Sequence, residues 1–156
     1  MVSQLFPDFT LLDIYKDARI VDIIRNPGAI TVYKREGTGH AVEVGGFRFS
    51  NQKSILMADD AAAVSACFRS VNSIEVGAGY PCTFDPKFLI RFESKSKLDV
   101  VDFLCGRDCY LVDWYFNFHQ VDGSVSRLKM NHLGISILEA VFESASLGSA
   151  KTQDTK

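Results

Sequence analysis

Nothing in the 156-residue chain approaches an uninterrupted apolar run of about 18 residues, the minimum for a helix that crosses a bilayer. The first stretch, MVSQLFPDFTLLDIYKD, has no basic segment leading into a long apolar one. It does not read as a secretory leader, and a cytoplasmic location without membrane contact is the expectation. An excess of one charge is also missing: 17 Lys and Arg stand against 19 Asp and Glu, a net charge of -2. Without a basic footprint, a nucleic-acid partner is not expected. Histidine is scarce, with His40, His119 and His132 scattered along the chain and defining no catalytic base. The G-x-S-x-G, G-x-x-x-x-G-K-[ST] and H-E-x-x-H patterns do not occur, and GAGYP at 77–81 lacks the last element of a dinucleotide-binding loop.

What is present is a folding core. Hydrophobic residues make up 47% of the chain and twelve are Phe, enough to exclude a disordered segment and to fold without disulfides or metal. The segment LLDIYKDARIVDIIRNPG places Ile14, Ala18 and Val21 on one helical stripe, widened by Ile20, Ile23 and Ile24, and Asn26-Pro27-Gly28 ends it. AITVYKRE reads as a strand, and TGHAVEVGGFRF as a strand or hairpin bent at Gly45-Gly46. A second helix follows in SILMADDAAAVSACFRSV, with Asp59 as its expected N-cap and Ala61, Val64, Phe68 and Val71 on its buried stripe.

After a loop at GAGYPCTFDP come KFLIRFES, KLDVVDFLC and CYLVDWYFNF, three strand-like segments with short connections, and then a turn at 121–124. The segment RLKMNHLGISILEAVFES reads as a C-terminal helix with Met130, Leu133, Ile137 and Val141 on one stripe. Gly134 leaves open a strand, a turn and a shorter helix from Ile135. No βαβ unit repeats. The expectation is one α+β domain over 1–146, an antiparallel meander packed with N-terminal, central and C-terminal helices, and a disordered tail over 147–156.

Four cysteines, Cys67, Cys82, Cys105 and Cys109, invite a chemical reading. If Gly106-Arg107-Asp108 is a three-residue turn, Cys105 lies opposite Cys109, with Cβ atoms about 4.5–5.5 Å apart. The same register opposes Leu104 to Tyr110, Phe103 to Leu111, Asp102 to Val112 and Val101 to Asp113. One face then carries Leu98, Val100, Asp102 and Leu104 with Trp114, Phe116 and Phe118, and is the expected core face. The cysteines fall on the other face with Asp99, Val101, Phe103, Asp113 and Tyr115. Packed thiols, a disulfide and half of a zinc site are the three readings, with Cys82 as the best third ligand for a metal. A thioredoxin-like role fits poorly, because that chemistry needs a helix N-terminus beside the thiol. Cys67, beside Val64 and Phe68, reads as a buried small hydrophobe.

Asp102 on an apolar face needs a partner, since an unpaired buried carboxylate is costly. Arg91 in the neighbouring strand is the candidate, in a structural ion pair. Asp99, Asp113 and Tyr115 form a candidate acidic or interaction patch, and the carboxylates Asp99, Asp102 and Asp113 are where an enzyme of an unlisted type would place its acid and base.

The residues from Cys82 to Cys109 resemble a group of small bacterial proteins of unknown function that carry C-x-F-x-P, then R-F, then an apolar strand ending in C-F-x-C. The matching positions are Cys82, Phe84, Pro86, Arg91, Phe92, Asp99, Val100, Cys105 and Cys109. Here the closing cysteines are separated by three residues instead of two, and Gly106 stands where the pattern has an aromatic. The resemblance implies a bacterial protein and a shared location for Cys82, Cys105 and Cys109, and supplies no activity. Small acidic bacterial domains of this class suggest binding to a protein partner, with an immunity protein that neutralises a toxin domain as a recurrent role. The functional expectation is therefore a non-enzymatic protein-binding domain without cofactor. A zinc-thiolate domain and an enzyme using Asp99, Asp102 or Asp113 are the alternatives.

Overall fold

A computed structural model describes residues 10–35, 39, 42–50, 53–70, 74–76, 84–107, 114–119, 125–130 and 135–144. Their order is α1 (Leu11–Tyr15), α2 (Ala18–Arg25), β1 (Ala29–Lys34), β2 (Val42–Val44), β3 (Phe47–Phe49), β4 (Lys53–Ile55), α3 (Ala58–Arg69), β5 (Ile74–Val76), β6 (Phe88–Glu93), β7 (Val100–Arg107), β8 (Trp114–His119) and β9 (Val125–Met130), followed by a helix over 135–144, here α4. Seven strands form one antiparallel sheet in the order β4-β1-β6-β7-β8-β9-β5, and β2 and β3 form a separate hairpin. The α+β architecture and the meander of β6, β7 and β8 match the sequence expectation, and β9 extends that meander by a further strand. The loop residues 77–83, the turn at 121–124 and the tail from 147 lie outside the described residues.

The first amphipathic segment is broken where one long helix was expected. Thr10 and Asp13 cap α1 reciprocally, Lys16 then enters the left-handed region at φ 64°, and the Asp17 side chain accepts from the Arg19 amide at 2.8 Å to start α2. The break swings two short helices so that Leu11, Ile14 and Tyr15 reach the same core as Ile20, Ile23 and Ile24. In α3 the expected cap is also displaced. The helix begins at Ala58 behind Met57, which makes no side-chain cap, while Asp59 and Asp60 sit inside the first turn where they complement the helix dipole.

At the C-terminus the structure takes the alternative left open at Gly134, a strand and then a shorter helix from Ile135, in place of the single long stripe. Met130 belongs to β9, whereas α4 buries Leu138, Val141 and Phe142 and leaves Ile137 39% exposed. Phe142 stacks on Phe88 with ring centroids 4.2 Å apart, which fixes α4 against the end of the sheet.

All four helices contribute to one core, on one face of the sheet. Its centre is aromatic. Phe68 of α3 stacks on Phe103 at 4.2 Å and meets Phe92 and Phe116 edge-on, while Tyr15 meets Phe103 and Phe118 edge-on. Such pairs add about 0.5–1.5 kcal/mol each beyond area burial. The opposite, outer face has a smaller cluster, in which Phe49 of the β2–β3 hairpin covers Leu89 and Leu104. Gly45 and Gly46 both have positive φ, as the two-residue turn of that hairpin demands.

Candidate functional site

The register of β7 and β8 decides where the chemistry-bearing side chains lie. Cys105 pairs with Phe116, Gly106 with Tyr115 and Arg107 with Trp114, so the strand runs through the residues expected to turn. The physical reason is at Gly106. A Cβ there would lie 3.0 Å from the Asp85 carbonyl oxygen and 3.2 Å from the Phe84 ring, so glycine serves close packing within a strand instead of a turn.

Cys105 faces Phe116 instead of Cys109, a displacement of seven residues, and an odd displacement exchanges the two faces of a strand. Val101, Phe103 and Cys105 therefore share the helix-covered core with Trp114, Phe116 and Phe118. Val100, Asp102 and Leu104 point to the outer face, the reverse of the expectation for β7.

Cys105 is a fully buried free thiol, and its Sγ lies 3.4 Å from the Phe103 carbonyl oxygen. Burial raises its pKa well above the ordinary thiol value. Cys67 is likewise a buried thiol, pushed up to about 11 by burial. Metal ligation requires the thiolate, which this environment disfavours for Cys105. Cys82, Cys109 and Asp113 lie outside the described residues. Among the described residues no group of three or more His, Cys, Asp and Glu is arranged to hold a metal ion.

On the outer face, Arg91 and Asp102 meet as a fork. The Arg91 Nε donates to Asp102 Oδ1 at 2.8 Å and the second guanidinium nitrogen to Oδ2 at 3.0 Å. Both side chains are mostly covered, at 23% and 12% exposure, and the hydrogen bonds to Asp102 raise the Arg91 pKa. The Arg91 guanidinium also lies 6.0 Å from the Tyr33 ring centroid. With both oxygens engaged by a cation, Asp102 is built as a structural carboxylate.

Asp99 is held elsewhere. Its backbone closes the β6–β7 turn, its amide donating to Ser94 Oγ and its carbonyl accepting from the Ser94 amide. Its side chain lines a cleft of about 610 Å³ against α2, together with Arg19, Asp22, Asn26 and Lys95. The structure thus separates Asp99 from the Arg91–Asp102 pair. Tyr115 is only 5% exposed, with the Lys129 Nζ 6.0 Å from its ring centroid, so it offers little surface to a partner.

One further cluster escaped the sequence reading. Arg35 donates to Asp85 at 2.8 Å and to the Pro86 carbonyl at 3.0 Å, and Lys87 donates to Asp85 at 3.0 Å. These bonds, with Lys87 first and Arg35 after it, hold the Asp85 carboxyl below its ordinary pKa. The Arg35 guanidinium lies 4.8 Å from the centre of the Phe47 ring, tying the hairpin to the sheet. A basic residue fifty positions from its acid carries no local signal, and only the pairing of β1 with β6 joins them.

Among the described residues no helix is long and apolar enough to cross a membrane. Comparison with protein-family models, with curated proteins and with solved structures gives no match.

Proposed function

We propose that the chain is a non-enzymatic protein-binding domain that engages its partner through the uncovered half of the sheet's outer face. The observation that carries this reading is the unequal covering of that face. Where the hairpin lies, Leu89 and Leu104 are sealed. Farther along the same strands, Ile55, Thr31, Arg91 and Asp102 form one cross-strand row, flanked by Val100 on β7. Ile55 is 66% exposed and Val100 47%, and Leu98 at the adjoining turn is 85% exposed.

Single exposed aliphatic residues are ordinary on a surface. Here they border a locked, bidentate ion pair, which gives a patch of apolar margin and fixed polar centre suited to a partner carrying both. The exposed large hydrophobics among the described residues are aliphatic. Tyr115, the aromatic expected in the interaction patch, is instead buried at 5% exposure.

The narrower role we propose is that of a bacterial immunity protein, the partner being a toxin domain that it neutralises. Affinity purification from the native host should recover a stoichiometric partner, and Ile55→Asp combined with Val100→Asp should weaken that complex at least tenfold at unchanged melting temperature. Co-expression should protect against a toxin encoded beside the gene. Recovery of no stoichiometric partner together with no protection sinks the proposal.

One observation favours a second reading, an enzyme: Asp99 and Asp22 both line the 610 Å³ cleft. A hydrolytic activity lost in Asp99→Asn and retained in Asp102→Asn would move the function to that cleft.

A further inference from the structure

A second groove, of about 510 Å³, opens between the end of α2, the start of β1, the β4–α3 junction and α3. Three cations line it, Arg25, Arg69 and Lys95, all exposed. Among the described residues none of their side chains makes a hydrogen bond or ion pair. Of the other arginines, Arg19, Arg35, Arg48, Arg91 and Arg107 each have a carboxylate within 4.0 Å, and Arg127 donates to the Asn117 side-chain carbonyl. No Asp or Glu stands among the described lining residues. The nearest acids along the same elements have other roles: Asp22 accepts from Asn26 Nδ2, and Asp59 and Asp60 occupy the first turn of α3.

The groove is also rigidly walled. Ser65 Oγ donates to the Ile24 carbonyl, clamping α3 onto the last turn of α2. Gly28 packs so closely on the β6–β7 turn that a Cβ would lie 2.7 Å from the Ser94 carbonyl oxygen and 2.9 Å from the Lys95 Cα, which holds Lys95 over the opening. Between the cations the lining is small and apolar, Ala29, Ile30, Ala61 and Ala62. A volume in the range of about 300–1,000 Å³, with a few convergent polar groups on an apolar floor, is what a small-molecule site requires.

We infer that this groove binds a small organic phosphate, with the phosphate on Arg25, Arg69 and Lys95 and the apolar body over the α3 alanines. Two guanidinium groups suit phosphate because each donates in a planar fork, and three positive charges match an anion carrying two or three negative ones. Exposed cations that form no ion pair among the described residues are available to such a ligand at no loss of one there.

The test is calorimetric titration of the full chain with pyrophosphate and with a nucleoside diphosphate at low and moderate salt. Saturable binding of one equivalent is expected for both, tighter for the nucleotide. Arg25→Gln combined with Arg69→Gln should weaken both at least tenfold, whereas Arg19→Gln, on the neighbouring cleft, should change neither. Ala61→Leu, which fills the floor, should weaken the nucleotide and spare pyrophosphate. Equal loss of both ligands in Ala61→Leu would move the site off the α3 floor and overturn the assignment. Absence of saturable binding, or binding indifferent to the Arg25 and Arg69 substitutions, overturns it as well. Ile55 belongs both to this groove and to the outer-face row, but these titrations use the chain without a partner, so they fail or succeed apart from the protein-binding reading.

Discussion

The two faces of the seven-stranded sheet are built on different principles. The inner face is continuous, with aromatic rings from β6, β7 and β8 meeting Phe68 and Tyr15 from the helices in one contact network. The outer face is patchwork. Among the described residues hydrophobic cover extends only as far as the β2–β3 hairpin, and beyond it side chains are held by ion pairs and by cations over rings, such as Arg91 and Lys53 near Tyr33. Stability therefore resides mainly on the inner face. Adjacent residues of β7 separate the two, since Phe103 lies on one side and Leu104 on the other, both buried to within about 1% of their surface.

That pair provides the strongest way to break the comparison. Phe103→Ala should cost about 3–5 kcal/mol, because the cavity opens among Phe68, Phe92 and Phe118 in a core that cannot collapse around it. Leu104→Ala opens toward a hairpin of three-residue strands, which can settle inward, and should cost about 2 kcal/mol, the low end for such a change. Urea denaturation of both variants reads the difference. Equal losses would show that the outer cluster is as much a part of the core as the inner one.

The second test uses the buried thiols of the inner face. A thiol whose pKa is raised by burial keeps its proton in the folded chain after the unfolded chain has lost it. The folded state then binds more protons, and stability falls as pH rises above the unfolded value near 9.0. Each thiol should withdraw about 1.4 kcal/mol per pH unit in that range. For Cys67 the decline should flatten near pH 11, where the folded group ionises too. Guanidinium denaturation between pH 8 and 11 should show this slope, reduced in Cys105→Ala whatever the variant's absolute stability. At neutral pH both thiols should resist a thiol reagent until the chain unfolds. Fast labelling of Cys105 in the native protein would contradict its place in the core.

These features differ in how readable they are from sequence. Composition and strand-like alternation are local, and they point to the α+β class, to the meander of β6, β7 and β8, and to a strand or hairpin bent at Gly45-Gly46. The Arg91–Asp102 contact is nearly local as well: the residues lie eleven positions apart, on adjacent strands joined by a short turn. The β7–β8 register is not local. Gly106 between two cysteines has the composition of a turn, and what makes it a strand residue is the approach of Phe84 and Asp85, about twenty positions earlier. Once that register is misplaced by an odd number, the whole of β7 is assigned to the wrong face. The break at Lys16 is hidden for a related reason, because the hydrophobic stripe continues through it and only the cap geometry of Thr10 and Asp17 reveals two helices.

The smallest expected effect concerns the ion pair at the centre of the uncovered patch. A solvated pair on an open surface is worth little, commonly below about 1 kcal/mol, because water screens it and two long side chains must be ordered. Arg91 and Asp102 are better placed, since most of each side chain is covered and the two hydrogen bonds are parallel. A double-mutant cycle with Arg91→Met and Asp102→Asn should give a coupling of about 1–2 kcal/mol, and raising the salt concentration should reduce it only in part. Each single variant should lose more than the double variant's share, because a half-buried partner is left without its counter-charge. A coupling near zero would make the patch a mobile, solvated surface, and its claim to present a fixed polar centre to a partner would fail with it.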